Sequence, residues 1–294
     1  MTSTRGHLGR IAIIGGTGLG IHLQDELEPG TVERHDQATP FGTPSAPIIT
    51  GRLGDSEVAL LLRHGHGHCF NPTQIPYRAN IFALKALGCT HVIASGACGS
   101  LQDSIAPGSI VLCDQIIDRT IHRPRTFYDD AAVHVELADP CCAVMRNWLG
   151  SAADTTTIHQ TGTYLCMEGP AFSTRAESHM HRTMGAHIVG MTAMPEARLA
   201  REAELAYALL ALPTDWDCWR TTEGDSVLEH VIANLQCATT SALQLIRSAL
   251  ADTTLLQREA SHAHTALNLA VFSDADMIDE ATRQQLKPLW GRVL

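Results

Sequence analysis

The sequence predicts a mixed α/β fold in which helices flank a mixed β-sheet. Short apolar strand-like runs alternate with helix-like segments along the chain, and no internal repeat or low-complexity linker divides them. The length of 294 residues is sufficient for one large hydrophobic core. We therefore expect a single α/β domain over residues 1–294.

Local signals define the individual elements. Gly54-Asp55 supplies a turn between two apolar runs and predicts a hairpin. Pro76 suits the first position of a helix that Gly88 can end, and Thr174 with Glu177 forms a capping box that opens another helix. The predicted strands cover residues 11–14, 48–51, 58–62, 91–95, 109–113, 163–167, 187–189 and 207–212, and the predicted helices cover residues 76–87, 174–185, 195–205 and 226–250.

Composition limits the classes of partner. The chain is 45% hydrophobic and 18% charged, as expected of a folded globular protein. Its formal net charge of -10 disfavours nucleic acid and anionic membrane surfaces as partners, because both attract basic patches. No apolar run approaches the roughly 18 residues that span a bilayer, and the N-terminus lacks a signal-peptide core, so we expect a cytoplasmic protein. The nine Cys are odd in number and include no CxxC pair, which predicts buried free thiols and no structural zinc.

A glycine-rich loop follows the first strand, at residues 15–20. A dinucleotide-binding pattern starting at Gly16 would need Gly at the position of Ile21, no helical periodicity follows, and no Walker Gly-Lys-Ser/Thr is present. The loop can instead present backbone N–H groups and the Thr17 hydroxyl to an oxyanion. A tight turn without a ligand is the alternative.

Three alternating His residues follow Arg63 in residues 64–68. A metal site is one interpretation, but a Gly-rich loop does not hold ligand geometry and no acidic partner is near in sequence. A solvated loop is a second interpretation. We favour an anion site, because the Arg63 guanidinium matches phosphate oxygens, His64 adds a donor, and strand ends carry ligands in open α/β sheets. We expect no metal.

Two carboxylates, Asp215 and Asp217, follow the strand predicted at 207–212. Their mutual repulsion raises the proton affinity of at least one, which suits a base with a protonatable ring nitrogen. Phe172 offers a ring for stacking on a planar base, and Met191 precedes Thr192 near the start of a helix, a favourable place for an anion. Each of these residues alone also fits a purely structural role.

Together these segments resemble the trimeric purine nucleoside phosphorylases of the methylthioadenosine phosphorylase type. The resemblance runs from about residue 11 to about residue 240 and fades in the tail at about 250–294. Its motifs are Gly15-Gly16-Thr17-Gly18, Arg63-His64-Gly65, Gly88-Cys89-Thr90-His91-Val92-Ile93, Ala97-Cys98-Gly99-Ser100, Asp118-Arg119-Thr120, Glu168-Gly169-Pro170-Ala171-Phe172-Ser173, Arg175-Ala176-Glu177-Ser178, Met191-Thr192, Pro195-Glu196 and Thr214-Asp215-Trp216-Asp217-Cys218-Trp219.

The resemblance implies the nucleoside phosphorylase fold, a homotrimer whose pairing into a hexamer stays open, and phosphorolysis of 5'-methylthioadenosine to adenine and 5-methylthioribose 1-phosphate. Inorganic phosphate is the co-substrate and no cofactor is expected. Asp215 and Asp217 are the expected catalytic residues and bind the purine. The expected phosphate ligands are Thr17, Arg63, His64, Ala97 and Thr192. The expected nucleoside contacts are Phe172, Met191, the apolar 5' pocket of Leu228, Val231 and Ile232, and His134 from a neighbouring subunit.

Three positions depart from the family pattern and keep alternatives open. Gly96, Ala171 and Gly190 stand where Thr, Arg and Asn are usual, which leaves phosphate affinity and substrate preference undetermined. The alternatives are a phosphorylase of methylthioinosine, adenosine, inosine or guanosine, a nucleoside hydrolase, and a ligand-sensing protein without turnover. The resemblance predicts an adenine base, because the 6-oxopurine enzymes carry Asn at the position of Asp215.

Overall fold

The computed structural model describes residues 8–16, 19–153, 158–220 and 227–294, of which residues 20 and 227–230 are described by their backbone alone. The strands are β1 (Arg10–Gly15), β2 (Glu33–His35), β3 (Ile48–Leu53), β4 (Ser56–Leu62), β5 (Cys89–Ser100), β6 (Ile110–Leu112), β7 (Gln115–Arg119), β8 (Ile158–His159), β9 (Thr163–Met167), β10 (Ile188–Gly190) and β11 (Ala206–Asp215). The helices are α1 (Leu19–Gln24), α2 (Tyr77–Ala86), α3 (Ala143–Ser151), α4 (Arg175–Thr183), α5 (Glu196–Glu202), α6 (Val227–Leu250), α7 (Thr254–Arg258), α8 (Glu280–Gln285) and α9 (Lys287–Trp290).

The described strands form one mixed sheet, as the sequence predicts. Its main path runs β2-β3-β4-β1-β5-β10-β9-β7, and a branch runs from β5 through β11 and β6 to β8. The central part, β4-β1-β5-β11, is parallel throughout. The carboxyl ends of these four strands therefore meet at one edge of the sheet, where ligands bind in folds of this class.

Two hydrophobic clusters cover the two faces of the sheet. Along β1, Ile11 and Ile13 belong to one cluster, whereas Ala12 and Ile14 belong to the other. Strand β11 alternates in the same way and is buried from Ala206 to Thr214. A strand covered on both faces needs apolar residues at every position, which explains why these strands appear as continuous apolar runs in the sequence.

Most predicted elements are confirmed, and several boundaries differ. The capping box of Thr174 and Glu177 is present with both of its hydrogen bonds. The prediction that no helix follows the glycine loop is wrong, because α1 begins at Leu19. Leu19 and Leu23 lie one turn apart in α1 and are both buried. With six residues, α1 is too short to show a helical period of apolar residues in the sequence. Helix α3 and strands β2, β7 and β8 were not predicted.

The nine Cys are all free thiols, and six of them are buried, as the sequence predicts for most of them. Cys237 differs from that expectation, because it lies on an exposed part of α6. None of the helices formed by the described residues is long and apolar enough to cross a bilayer.

Candidate active site

A cavity of about 280 Å³ opens at the carboxyl edge of the central parallel strands. Segments that follow or end β1, β4, β5, β10 and β11 line it, and α6 closes one side. The lining residues are Gly16, Arg63, His64, His68, Pro72, Gly96, Ala97, Cys98, Gly99, Met167, Phe172, Ser173, Val189, Gly190, Met191, Thr192, Thr214, Asp215, Asp217, Val231 and Leu235.

Most site residues expected from the sequence therefore share one cavity, although they come from six separate segments. The residues it brings together are Arg63, His64, Ala97, Phe172, Met191, Thr192, Asp215, Asp217 and Val231. Ile232 is not among them, because it is 49% exposed on another face of α6. His134 lies in a separate surface groove. Thr17 lies outside the described residues, as does the side chain of Leu228.

Arg63 forms the cationic end of the cavity and is held by a buried ion pair. Its Nε and Nη2 donate to the two carboxylate oxygens of Glu196 at 2.7 and 3.0 Å, and both side chains are 1% exposed. Nη1 donates to the Ser95 carbonyl oxygen at 2.6 Å. Among the described residues these bonds occupy three of the five guanidinium N–H groups, which leaves two for an anion in the cavity.

His64 lies beside Arg63 and is uncharged at neutral pH. Burial, together with the neighbouring charges of Arg63 and His68, lowers the pKa of His64 to about 4, against the opposing hydrogen bond to Phe70. Its Nδ1 lies 2.9 Å from the Phe70 carbonyl oxygen. Within the described ranges, no group of three or more His, Cys, Asp or Glu side chains is arranged to hold a metal ion.

Asp215 and Asp217 form the acidic end, where β11 leaves the sheet. A register shift between Pro213 and Asp215 turns the strand end toward the cavity. Asp215 accepts hydrogen bonds from Thr214 Oγ1 at 2.7 Å and from the backbone N–H of Asp217 at 2.8 Å. The Asp217 Oδ2 atom is buried and has no partner among the described residues. It is therefore an acceptor available to a ligand.

The pKa of the Asp215 carboxyl is raised, as the sequence predicts, but mainly for another reason. Burial is the largest cause, and the charge of Asp217 is the smallest of the contributions. The bonds from Thr214 and from the backbone of Asp217 oppose the rise without cancelling it. Desolvation, more than carboxylate repulsion, thus favours the protonated form of Asp215.

Close packing explains two departures from the family pattern. A Cβ atom at Gly96 would lie 3.2 Å from Thr192 Oγ1, so a larger residue would crowd the hydroxyl at the anion end. A Cβ at Gly190 would overlap the hydroxyl group of Tyr164, which occupies the space that a longer side chain would need. The third departure, Ala171, is exposed, and the structure does not explain it.

Sequence reasoning missed several residues that shape the site. Glu196 was noted only as part of a motif, yet it orients Arg63. Leu235 lines the cavity one helical turn after Val231, a spacing that could have identified it in place of Ile232. Arg123 is buried and donates to the carbonyl oxygens of Met191 and Met194 at 2.6 Å each. It thereby holds the cavity segment that contains Met191 and Thr192, and no local sequence signal marks it.

Comparison with known proteins agrees with this geometry. The model of the phosphorylase superfamily matches residues 10–251. The chain is 43% identical to the S-methyl-5'-thioadenosine phosphorylase of Thermosynechococcus vestitus over 97% of this chain and 99% of that protein. It is 42% identical to the enzyme of the same name from Geobacter sulfurreducens, over 96% of this chain and 98% of that protein.

Solved structures give the same result. A methylthioadenosine phosphorylase from an antarctic soil metagenomic library superposes with a TM-score of 0.87 at 43% identity, covering 96% of this chain and 99% of that chain. A methylthioadenosine phosphorylase from Schistosoma mansoni in complex with adenine superposes with a TM-score of 0.80 at 33% identity, covering 90% and 99%. The chain therefore belongs to the phosphorylase superfamily and, within it, to the S-methyl-5'-thioadenosine phosphorylase family.

Proposed function

We propose that this protein cleaves 5'-methylthioadenosine with inorganic phosphate, releasing adenine and 5-methylthioribose 1-phosphate. One observation carries the proposal: the partly free guanidinium of Arg63 and the acidic pair Asp215 and Asp217 line the same cavity. Such a cavity can hold a phosphate and a purine with a ribose between them. The S-methyl-5'-thioadenosine phosphorylases that the chain resembles supply the identity of the nucleoside.

At the acidic end, Asp215 acts as general acid. Phosphate oxygen bonds to C1' of the ribose while the C1'–N9 bond breaks, and adenine is a poor leaving group as an anion. Protonated Asp215 donates its proton to N7, so that neutral adenine leaves. The Oδ2 atom of Asp217, which has no hydrogen-bond partner in the part of the chain that the structure describes, accepts a hydrogen bond from the 6-amino group. Burial raises the pKa of Asp215, which is the direction that a general acid requires.

At the cationic end, the two remaining N–H groups of Arg63 bind phosphate oxygens, with Thr192, His64 and the backbone at Ala97 around them. Phosphate held there also stabilises positive charge that develops at C1'. Thr17 belongs to the same proposal from its position in the sequence alone.

The side of the cavity formed by α6 is apolar and suits the 5'-methylthio group. Val231 and Leu235 line it, and the Asn234 side chain ties α6 to β11 by donating to the Thr214 carbonyl oxygen at 2.9 Å. Leu228 is assigned here from the sequence. Phe172, which is 86% exposed, offers its ring to the base or ribose at the mouth of the cavity.

We further propose a homotrimer in which His134 completes the cavity of a neighbouring subunit. His134 is exposed and lines a surface groove that is separate from the candidate active-site cavity of the same subunit. The Phe272 ring packs edge-on against it at 5.2 Å, and Phe272 and Ile121 are among the most exposed large apolar side chains. Mixing inactive His134→Ala and Asp215→Ala subunits should restore activity in the mixed oligomer, and no recovery would reject the shared site.

The decisive experiment measures adenine release from 5'-methylthioadenosine with and without inorganic phosphate. Phosphate-dependent release of adenine and 5-methylthioribose 1-phosphate is the expected result. Release that does not depend on phosphate would indicate a hydrolase, and nucleoside binding without product would indicate a sensor. Adenosine, inosine, guanosine and methylthioinosine in the same assay test the choice of nucleoside.

A further inference from the structure

His68 lines the cavity, although neither the sequence nor the proposed mechanism gives it a role. Its ring lies parallel to the ring of His64, with centroids 4.0 Å apart and an interplanar angle of 11°. Of the three His residues in the segment after Arg63, His64 and His68 line this cavity, whereas His66 lines a separate one; His66 and His68 are both exposed.

The loop between β4 and Phe70 is built to make this stack. Gly65 and Gly67 have positive φ angles of 73° and 69°, and His68 itself has a φ of 56°. The His68 backbone N–H donates to the Gly65 carbonyl oxygen at 3.3 Å, and that of Phe70 donates to the His64 carbonyl oxygen at 3.1 Å. A left-handed conformation is unfavourable for a residue with a side chain and persists where the surroundings enforce it. The loop thus holds residue 68 over residue 64 against its local preference.

The bond from His64 to Phe70 determines which ring nitrogen can meet phosphate. A carbonyl oxygen only accepts hydrogen bonds, so Nδ1 of His64 carries the proton and donates to Phe70. In the uncharged ring Nε2 is then an acceptor. It can receive the hydroxyl hydrogen of monohydrogen phosphate, while Arg63 donates to the other phosphate oxygens. This arrangement requires a defined orientation of the His64 ring.

We propose that His68 is a positioning residue for phosphate, whose ring stacks on His64 and holds the imidazole in the orientation that presents Nε2 to the phosphate hydroxyl. Phe70 holds one edge of the His64 ring, and His68 covers one face. The inference rests on the proposed function, because that function assigns phosphate to this end of the cavity.

The test compares His68→Ala, His68→Phe and the matched loop variant His66→Ala, using the full chain and inorganic phosphate as the probe. Phosphate affinity is measured by calorimetry without nucleoside, and KM for phosphate and for 5'-methylthioadenosine in turnover. His68→Ala should weaken phosphate binding about threefold to tenfold, the range expected for loss of one ring stack, with the nucleoside KM within about twofold. His68→Phe, which keeps a flat ring, should stay within about twofold of the unchanged protein, as should His66→Ala.

Unchanged phosphate affinity in His68→Ala would overturn the proposal. Equal losses in His68→Phe and His68→Ala would also overturn it, because a polar contact of His68 would then matter and not the stack. If the unchanged protein binds phosphate but releases no adenine, the proposed function fails while the His68 comparison still stands on the binding data. Failure of the unchanged protein to bind phosphate in either measurement would reject both.

Discussion

The Arg63–Glu196 ion pair allows the contribution of burial to the stability of an ion pair to be separated from the contribution of its hydrogen-bond geometry. Glu196→Gln removes the negative charge but keeps the size of the side chain, and it leaves the guanidinium without a counter-charge at 1% exposure. The Glu196 carboxylate accepts from Arg63 at 2.7 and 3.0 Å and from the Tyr207 hydroxyl at 2.9 Å. Breaking a buried pair of this kind costs about 3–5 kcal/mol. With about 2.1 cal/mol/K of unfolding entropy per residue, the corresponding fall in Tm for 294 residues is about 5–8 °C.

A second ion pair in the chain supplies a control with almost the same geometry. Arg34 donates to the two carboxylate oxygens of Asp36 at 2.8 and 3.0 Å, but both side chains are 59% exposed. Solvent and salt screen such a pair, so Asp36→Asn should leave Tm unchanged within error.

Thermal unfolding of the two variants and the unchanged protein, at one protein concentration and without phosphate, measures the difference. A large fall for Glu196→Gln and none for Asp36→Asn is expected. Equal shifts would refute the reasoning, because the Arg–carboxylate bond lengths match while Glu196 is buried, with one further bond from Tyr207, and Asp36 is exposed.

Four further outcomes are expected. Asp215→Asn should reduce kcat/KM for 5'-methylthioadenosine by about 10²–10⁴-fold and raise relative activity on 6-oxopurine nucleosides; unchanged selectivity would discard Asp215 as the acid. Val231→Asp should harm 5'-methylthioadenosine at least about tenfold more than adenosine, and equal losses would place the 5' pocket elsewhere. Burial raises the pKa of Glu202 from 4.5 to about 7. The contribution of the protonated carboxyl to the free energy of unfolding is therefore complete below about pH 4.5 and is lost as pH rises through 7, in total about 3 kcal/mol. Urea unfolding of Glu202→Gln across this pH range should not show the fall in free energy of unfolding. Gly190→Ala should lower the free energy of unfolding by about 1–3 kcal/mol because its Cβ overlaps the Tyr164 hydroxyl, and Tyr164→Phe in the same chain should recover part of the loss.

Local sequence signals predicted the elements that depend on neighbouring residues. The hairpin of β3 and β4 and the capping box of α4 need only a few consecutive residues, and both are present. Strand β11 was predicted as residues 207–212, but its pairing with β5 extends it to Asp215. The residues added at this end lie after Leu212, where the run of apolar residues stops. The pairing of β11 with β5 continues beyond that point to Asp215.

The convergence of the site could also be anticipated in part. Strand ends that carry Arg63, Ala97 and Asp215 meet because their strands are parallel, and parallel strands share a carboxyl edge. The face of α6 was harder to assign, since Val231 and Ile232 are equally apolar. The packing of the helix against β11 decides that Val231 lines the cavity while Ile232 faces away, and Leu235 then follows from its spacing of one helical turn after Val231.

By itself, the sequence determined the fold class, the family and the side chains at the two ends of the cavity, among them Arg63 and Asp215, because these follow from apolar periodicity and from short motifs of adjacent residues. Only the tertiary structure decided how these side chains are held and charged. Arg63 and Glu196 are 133 positions apart, and Gly190 meets Tyr164 only across neighbouring strands. Burial, which raises the pKa of Asp215 more than Asp217 does, is a property of the packed chain and is not encoded in any single segment.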